Sequence, residues 1–126
     1  MIKVAAAIIE KDGKFLICKR GPGGNCEFLW EFPGGKLEEG ETPFEAISRE
    51  IEEELSVKIK PSEIFCEYPF SYPEKEIYFY FIRAKLLCEE IKPNFHTEIK
   101  WVSKNELSDY EFCPADLETV KKLKEI

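Results

Sequence analysis

The fold of this chain is decided by residues 35–57, which read GKLEEGETPFEAISREIEEELSV. Thr42 is suited to cap a helix, with Pro43 at the first helical position and Glu45 completing a capping box. From there to Leu55 the apolar residues recur with the period of an α-helix. One helix face is therefore expected to be buried, and it holds Phe44, Ile47, Ile51 and Leu55.

The same helix carries a row of acids beside its apolar face. Glu50, Glu53 and Glu54 lie at i, i+3 and i+4, so their carboxylates share one stripe. Taken alone, such a stripe is more often a solvated face. Few basic residues stand near these acids, however, and Gly34-Gly35 before the helix leaves the backbone open to a metal or a phosphate. The pattern therefore predicts a divalent-metal site for phosphate chemistry.

Apolar runs bounded by turn residues predict strands around this helix. They are expected at residues 2–10, 15–20, 30–32, 63–70, 76–88 and 100–103. Asp12-Gly13 predicts a hairpin turn, and Pro33-Gly34-Gly35 a second turn. The fold class is therefore α/β, with helices packed on a mixed β-sheet in one domain that spans residues 1–126.

The C-terminal part predicts two more helices. Ser103 is expected to cap a short helix over residues 104–108. Pro114 is expected to open a final helix that runs to the end of the chain. Its buried stripe would consist of Leu117, Val120 and Leu123.

Composition limits the partners and the location of the protein. A formal charge of −7, from 18 basic and 25 acidic residues, argues against a nucleic-acid polymer as partner, whereas a small nucleotide carrying Mg²⁺ is compatible. No stretch approaches the ~20 apolar residues of a membrane span and no signal segment opens the chain, so we expect a cytoplasmic protein without membrane contact. Five widely spaced cysteines predict reduced thiols.

The stretch from Gly35 to Val57 resembles the Nudix box, G-x5-E-x7-R-E-U-x-E-E-x-G-U. Every specified position matches except one, where Ser56 replaces a glycine that would end the helix in a left-handed conformation, at a cost of ~1 kcal/mol. The segments WEFPGGKLEEGET and Ile17-Cys18-Lys19-Arg20 resemble the MutT branch of that family. Pro114-Ala115-Asp116 resembles the segment with which this branch contacts the base.

The resemblance implies a Nudix α/β/α sandwich and a metal site for Mg²⁺ or Mn²⁺. The groups that would hold the metal are Gly35, Glu50, Glu53, Glu54 and Glu98. Glu53 is favoured as the group that deprotonates water, and Glu50 is its rival. Arg49 would pair with these acids and hold their rotamers, and Glu41 would approach from the loop.

The resemblance also implies attack on the β-phosphorus of a nucleoside triphosphate, which releases a nucleoside monophosphate and pyrophosphate. Arg20 and Lys36 are the candidate phosphate contacts, although either could be an ordinary surface cation, and Gly34 is a further candidate for substrate binding.

For the base, Phe32 and an aromatic residue of the run 78–81, with Tyr78 as candidate, could form a sandwich, although aromatic strand residues are more often core. An ionised Asp116 would accept hydrogen bonds from the cytosine amine or from the guanine N1–H and N2 donors. His96, the only histidine, is expected to be a strand-end polar residue and not a base.

We expect the first of four candidate functions, and the other three are its alternatives. The first is a MutT-like pyrophosphohydrolase that removes modified nucleotides such as 8-oxo-dGTP from the nucleotide pool, a DNA-repair role. The second is a (d)CTP or 5-methyl-dCTP pyrophosphohydrolase of the same fold. The third is a non-catalytic nucleotide-binding module, and the fourth an acidic domain without metal dependence. The sequence leaves open whether the protein is a monomer or a homodimer.

Overall fold

A mixed β-sheet with helices on both faces forms the framework of the protein, and the computed structural model describes all residues from 1 to 126. The strands are β1 (Ile2–Lys11), β2 (Lys14–Lys19), β3 (Trp30–Glu31), β4 (Gly34–Lys36), β5 (Ile59–Ser71), β6 (Glu76–Leu86) and β7 (Glu98–Ser103). The helices are α1 (Pro43–Leu55), α2 (Leu117–Lys124) and two 3-10 helices, Lys104–Asp109 and Pro114–Asp116. The predicted α/β class is confirmed.

Strand β1 lies at the centre of the sheet. It pairs in parallel with β6 and antiparallel with β2 and β4, and the strand order is β3-β2-β1-β6-β5. β7 continues the sheet beyond β2. The alanine- and isoleucine-rich sequence of β1 suits this position, because both of its faces are covered.

Alternate residues of β1 contribute to two separate cores. Ala5, Ala7 and Ile9 pack under α1, together with its buried residues. Ala6 and Ile8 face the opposite core, which includes Leu107 and the α2 residues Val120 and Leu123. The sheet is therefore covered on both sides, as the predicted sandwich requires.

Helix α1 begins as the sequence predicts. The Glu45 N–H donates to Thr42 Oγ1 at 3.1 Å, and the Thr42 N–H donates to Glu45 Oε1 at 2.9 Å, which completes the capping box. The buried face differs at one position from the prediction: Phe44 lies in the first turn and is 36% exposed, and Ala46 takes its place in the core.

The C-terminus of α1 shows how the chain accepts serine in place of glycine. Ser56 adopts the left-handed conformation, with φ 58° and ψ 32°. The Asn94 side chain donates to Ser56 Oγ at 2.8 Å and to the Glu53 carbonyl at 2.9 Å. These two bonds stabilise the helix end and offset the backbone strain at Ser56.

The structure corrects three local predictions. Gly34-Gly35 lies in strand β4, paired with β1, and not in a turn. Pro114 opens a 3-10 turn, so α2 begins only at Leu117. Leu117 is 54% exposed, and the buried stripe of α2 starts at Thr119.

No helix combines the length and the apolar character needed to cross a membrane.

Candidate active site

The glycine pair of β4 brings the backbone against the carboxylates of α1. A Cβ on Gly34 would overlap the Ala5 carbonyl oxygen of the neighbouring strand, and a Cβ on Gly35 would overlap the Glu50 carboxyl group. The Gly34 N–H donates to Glu54 Oε1 at 3.2 Å. A side chain on Gly34 would therefore push β4 away from β1, and a side chain on Gly35 would displace the Glu50 carboxyl group from the strand.

Arg49 joins most of the predicted acids. Its Nε and Nη2 donate to the two Glu41 oxygens at 2.8 and 2.9 Å, and its Nη1 donates to Glu50 Oε1 at 2.9 Å. Contacts of 3.4 Å to Glu53 and of 3.0 Å to the Lys36 carbonyl complete the set. These donors lower the pKa of Glu41 to about 2. The guanidinium thus ties the loop before α1 to the acidic stripe, as the prediction of a rotamer-holding role requires.

Among the acids of α1, Glu54 has a strongly raised pKa. Burial is the main cause that raises its pKa to about 8, and the charges of Glu31 and Glu50 raise it further. The N–H of Gly34 and the charge of Arg20 oppose this shift only in part. A divalent cation beside Glu54 would supply positive charge and favour the ionised form of its carboxyl group.

The donors fit a divalent cation, although they are not gathered around one point. Glu50 and Glu54 both reach the β4 glycines, and Gly35 also lines the adjacent cavity. Glu53 is 59% exposed and directed to Arg49. No three acidic, histidine or cysteine side chains lie close enough together to hold one ion as they stand. Carboxylate and carbonyl oxygens are nevertheless the ligands that Mg²⁺ prefers.

The structure does not bring Glu98 to these carboxylates. Side chains alternate along β7, so Ile99 and Trp101 face the core under α1 while Glu98 and Lys100 point to the other side of the sheet. Glu98 Oε2 lies 3.6 Å from Lys100 Nζ and is about half exposed. Contrary to the sequence-based expectation, Glu98 is a surface ion-pair residue.

A cavity of about 350 Å³ extends from the β4 glycines to the start of the second 3-10 helix. Of the predicted substrate contacts, Arg20, Gly34, Lys36 and Asp116 line it. The other lining residues are Val4, Asn25, Cys26, Glu31, Gly35, Tyr72, Lys75, Ile77, Phe79, Cys113 and Ala115. The cavity wall therefore combines cations, glycine backbone, apolar side chains and carboxyl groups.

Asp116 is buried, with 5% exposure. Its Oδ2 accepts a hydrogen bond of 2.9 Å from the Phe32 backbone N–H. Burial, followed by the charge of Glu31, raises the pKa of Asp116 well above the ordinary aspartate value. A carboxyl group that keeps its proton can both donate and accept a hydrogen bond. Asp116 can therefore present a donor as well as an acceptor to a base, whereas the sequence predicts an acceptor alone.

Two predicted base contacts lie elsewhere. The Phe32 ring is 3% exposed and packs against Phe81 and Phe112, so only its backbone serves the site. The Tyr78 hydroxyl donates to Glu67 at 2.8 Å on the outer face of β6. Alternation along β6 directs Phe79, from the same aromatic run, into the cavity instead.

The Glu31–His96 pair is absent from the sequence-based predictions. Glu31 Oε2 lies 2.8 Å from His96 Nε2, and Glu31 Oε1 lies 3.4 Å from Arg20 Nη1. Tyr72 and Lys75, at the tip of the β5–β6 hairpin, are also absent from those predictions. One signal was present: an acid stands in the apolar run Leu29-Trp30-Glu31-Phe32, and a buried charge requires a partner. The partner itself is 65 residues away and leaves no local pattern.

Comparison with known proteins identifies the family. The NUDIX domain profile matches residues 1–123, so the chain belongs to this family. An 8-oxo-dGTP diphosphatase from Haemophilus influenzae is 35% identical over 98% of this chain and 91% of that protein. A CTP pyrophosphohydrolase from Escherichia coli is 32% identical over 93% of this chain and 87% of that protein.

A solved structure agrees with this assignment. The E. coli ORF135 protein superposes with a TM-score of 0.84 at 31% identity, covering 96% of this chain and 86% of that one. The resemblance to the MutT branch and the prediction of a hydrolase are confirmed. Members of this family generally use divalent metal cations.

Proposed function

We propose that the protein is a Mg²⁺-dependent pyrophosphohydrolase of nucleoside triphosphates, with modified nucleotides such as 8-oxo-dGTP as its preferred substrates. One observation carries the proposal: a single cavity is lined both by the β4 glycines and Arg20 and by Asp116 and Phe79. A nucleotide has matching parts, because it combines anionic phosphates with a flat base that has a polar edge.

At the phosphate end, the Gly35 carbonyl, Glu50, Glu53 and Glu54 would hold the metal. When bound, a divalent cation offsets the charge of the diphosphate and makes water a better nucleophile. Arg20 and Lys36 line the same end and orient the phosphates. Glu53 removes the proton from the attacking water, since it is exposed and held only by 3.4 Å contacts to Arg49. Glu50 is less free, because Arg49 donates to it at 2.9 Å.

At the other end, Phe79 and Tyr72 provide apolar surface for a base. Asp116, which retains its proton to a higher pH than an exposed aspartate, contacts the polar edge of the base as donor or acceptor. A guanine-type edge presents both a carbonyl and N–H groups, and such an edge matches a carboxyl that does both.

A second candidate is a (d)CTP or 5-methyl-dCTP pyrophosphohydrolase. It is favoured by the similarity to the CTP pyrophosphohydrolase and by the two acids of the cavity, Glu31 and Asp116, which suit the cytosine amine. Both candidates share the same chemistry at the diphosphate, so only the base separates them.

The test is a panel of nucleoside triphosphates and nucleotide sugars with Mg²⁺ or Mn²⁺, in which pyrophosphate and orthophosphate are measured separately. We expect pyrophosphate and nucleoside monophosphate, with the highest kcat/KM for 8-oxo-dGTP. A maximum for dCTP or 5-methyl-dCTP would select the second candidate. Release of orthophosphate, or activity on nucleotide sugars alone, would contradict both, and tight binding without turnover would indicate a non-catalytic module.

A further inference from the structure

His96 is fully buried yet makes a single hydrogen bond. Its side chain has no exposed surface, and its Nε2 lies 2.8 Å from Glu31 Oε2. Its Nδ1 is buried without a partner. Because a carboxylate oxygen only accepts, Nε2 carries the hydrogen and donates it to Glu31. The bond therefore fixes both the tautomer of His96 and the position of one Glu31 oxygen.

Glu31 lies in the cavity wall, near two other acids. It lines the cavity and its side chain is 16% exposed. Acids lie on both sides, since the charge of Glu31 raises the pKa of Glu54 toward the α1 stripe and of Asp116 toward the base end. Without donors of its own, the Glu31 carboxylate would be repelled by both neighbours.

Three groups can donate to Glu31, namely Arg20, His96 and the Cys113 thiol, whose Sγ lies 4.0 Å from Oε1, and His96 makes the shortest contact. Arg20 Nη1 reaches Glu31 at 3.4 Å, and Arg20 also lines the cavity where phosphates are proposed to bind. His96 contacts Glu31 at 2.8 Å, and its ring packs edge-on against Phe95, with 5.0 Å between ring centroids. If Arg20 moves to contact a bound phosphate, its hydrogen bond to Glu31 becomes weaker, whereas the buried His96 imidazole stays in place.

We propose that His96 is a positioning residue whose Nε2–H holds the Glu31 carboxylate in the cavity wall, where Glu31 accepts a hydrogen bond from the bound nucleoside. This inference rests on the proposed nucleotide site but concerns a separate contact. The role of His96 is to orient Glu31 and not to react, because the imidazole itself does not line the cavity.

The kinetic test compares His96→Leu with His96→Gln, using the nucleotide that the wild type hydrolyses best. Leucine fills similar volume without a donor, whereas the Gln amide nitrogen can occupy the place of Nε2. We expect His96→Leu to raise KM about tenfold with kcat within about twofold, as loss of one charge-assisted hydrogen bond predicts. His96→Gln should restore KM to within about threefold. An unchanged KM in His96→Leu, or an equal loss in both variants, would overturn the proposal.

A double-mutant cycle separates positioning from packing. In a Glu31→Ala background, His96→Leu should have no further effect on KM, because the side chain that it orients is already absent. Additive effects would mean that His96 acts by another route. If His96→Leu does not fold, His96→Gln and His96→Asn provide the comparison, since the shorter Asn amide cannot reach Glu31.

A spectroscopic measurement tests the contact without any substrate. His96 is the only histidine, so its ring N–H signal in a ¹⁵N-histidine NMR spectrum is unambiguous. We expect a slowly exchanging Nε2–H that shifts in Glu31→Gln. If this signal is absent, the inference fails even when nucleotides are hydrolysed. If the signal is present and no nucleotide is hydrolysed or bound, it is the proposed function that fails.

Discussion

Arg49 and Glu41 form a two-point ion pair, with Nε 2.8 Å from Oε2 and Nη2 2.9 Å from Oε1. Glu41 lies in the loop before α1 and Arg49 in the middle of that helix. The pair leaves Nη1 free to donate to Glu50. Because one planar guanidinium makes all three bonds, the position of Glu50 depends on the loop as well as on the helix.

We expect Arg49→Lys to lower kcat/KM by roughly 10–100-fold, because an ammonium group cannot donate to Glu41 in two places and to Glu50 at once. Unfolding should become easier by roughly 1–2 kcal/mol, since the loop loses its anchor. Steady-state kinetics and urea unfolding measure the two effects. Arg83→Lys is the matched control, because Arg83 pairs with Glu10 away from the site. Full activity of Arg49→Lys would show that the two-point geometry is dispensable.

We expect Glu53→Gln to lower kcat by about 10²–10⁴-fold, the usual contribution of a general base. Stability should remain unchanged, because Glu53 is 59% exposed and its contacts to Arg49 are long. The control is Glu52→Gln on the adjacent solvent-facing position, which should keep wild-type turnover. If Glu50→Gln abolishes turnover while Glu53→Gln retains it, the base is Glu50.

The pKa of Glu54 predicts an unusual pH dependence. The group titrates at about 8 in the folded protein and has an ordinary value of 4.5. Between these values the folded state holds a proton that the unfolded state has lost, so raising the pH favours unfolding. Without metal, the free energy of unfolding should fall by roughly 2 kcal/mol from pH 5 to pH 8.

Thermal unfolding in a chelator at several pH values measures this effect. Glu54→Gln should flatten the dependence, since the amide does not ionise. Mg²⁺ should raise Tm more at pH 8 than at pH 6, because the cation stabilises the ionised carboxylate. In Glu98→Gln the Mg²⁺-induced rise should persist, as Glu98 pairs with Lys100 and not with the α1 acids. A rise in stability from pH 5 to pH 8 in the metal-free protein would contradict the shift.

The sequence predicts well those features that depend on the spacing of residues along a short segment. The capping box of Thr42 and Glu45 and the buried residues Ile47, Ile51 and Leu55 follow from three- and four-residue intervals. Errors occur where tertiary contacts override local preference. Gly34-Gly35 is a turn signal by composition, yet the pair lies in strand β4, where the absence of a Cβ on Gly34 allows close pairing with β1.

The cavity shows the other limit. Asp116 was found through its motif, but its burial and its bond to the Phe32 N–H join residues 84 positions apart. Phe79 lines the cavity in place of the predicted Tyr78, whose hydroxyl bonds to Glu67. The sequence does not show which face of β6 meets the cavity. Similarly, nothing near His96 indicates Glu31 as its partner.

Asp116→Asn provides the sharpest test of base selection. The Asn carbonyl oxygen can still accept from the Phe32 N–H, which now bonds to Asp116 Oδ2 at 2.9 Å, so the fold should be retained. The amide presents a permanent donor to the cavity, whereas the carboxyl donates only while it keeps its proton. We therefore expect the ratio of kcat/KM for 8-oxo-dGTP and dCTP to change by about tenfold, with a smaller change in the better rate.

The pH dependence of that ratio identifies the cause. Burial raises the pKa of Asp116, so the wild-type ratio should vary as the carboxyl loses its proton with rising pH. In Asp116→Asn the Asp116-dependent part of this variation should disappear, because no proton is lost there. Asp109→Asn, on the exposed 3-10 helix, should leave the ratio as in the wild type. A ratio unchanged by Asp116→Asn would mean that Asp116 serves the Phe32 backbone alone and that another cavity residue selects the base.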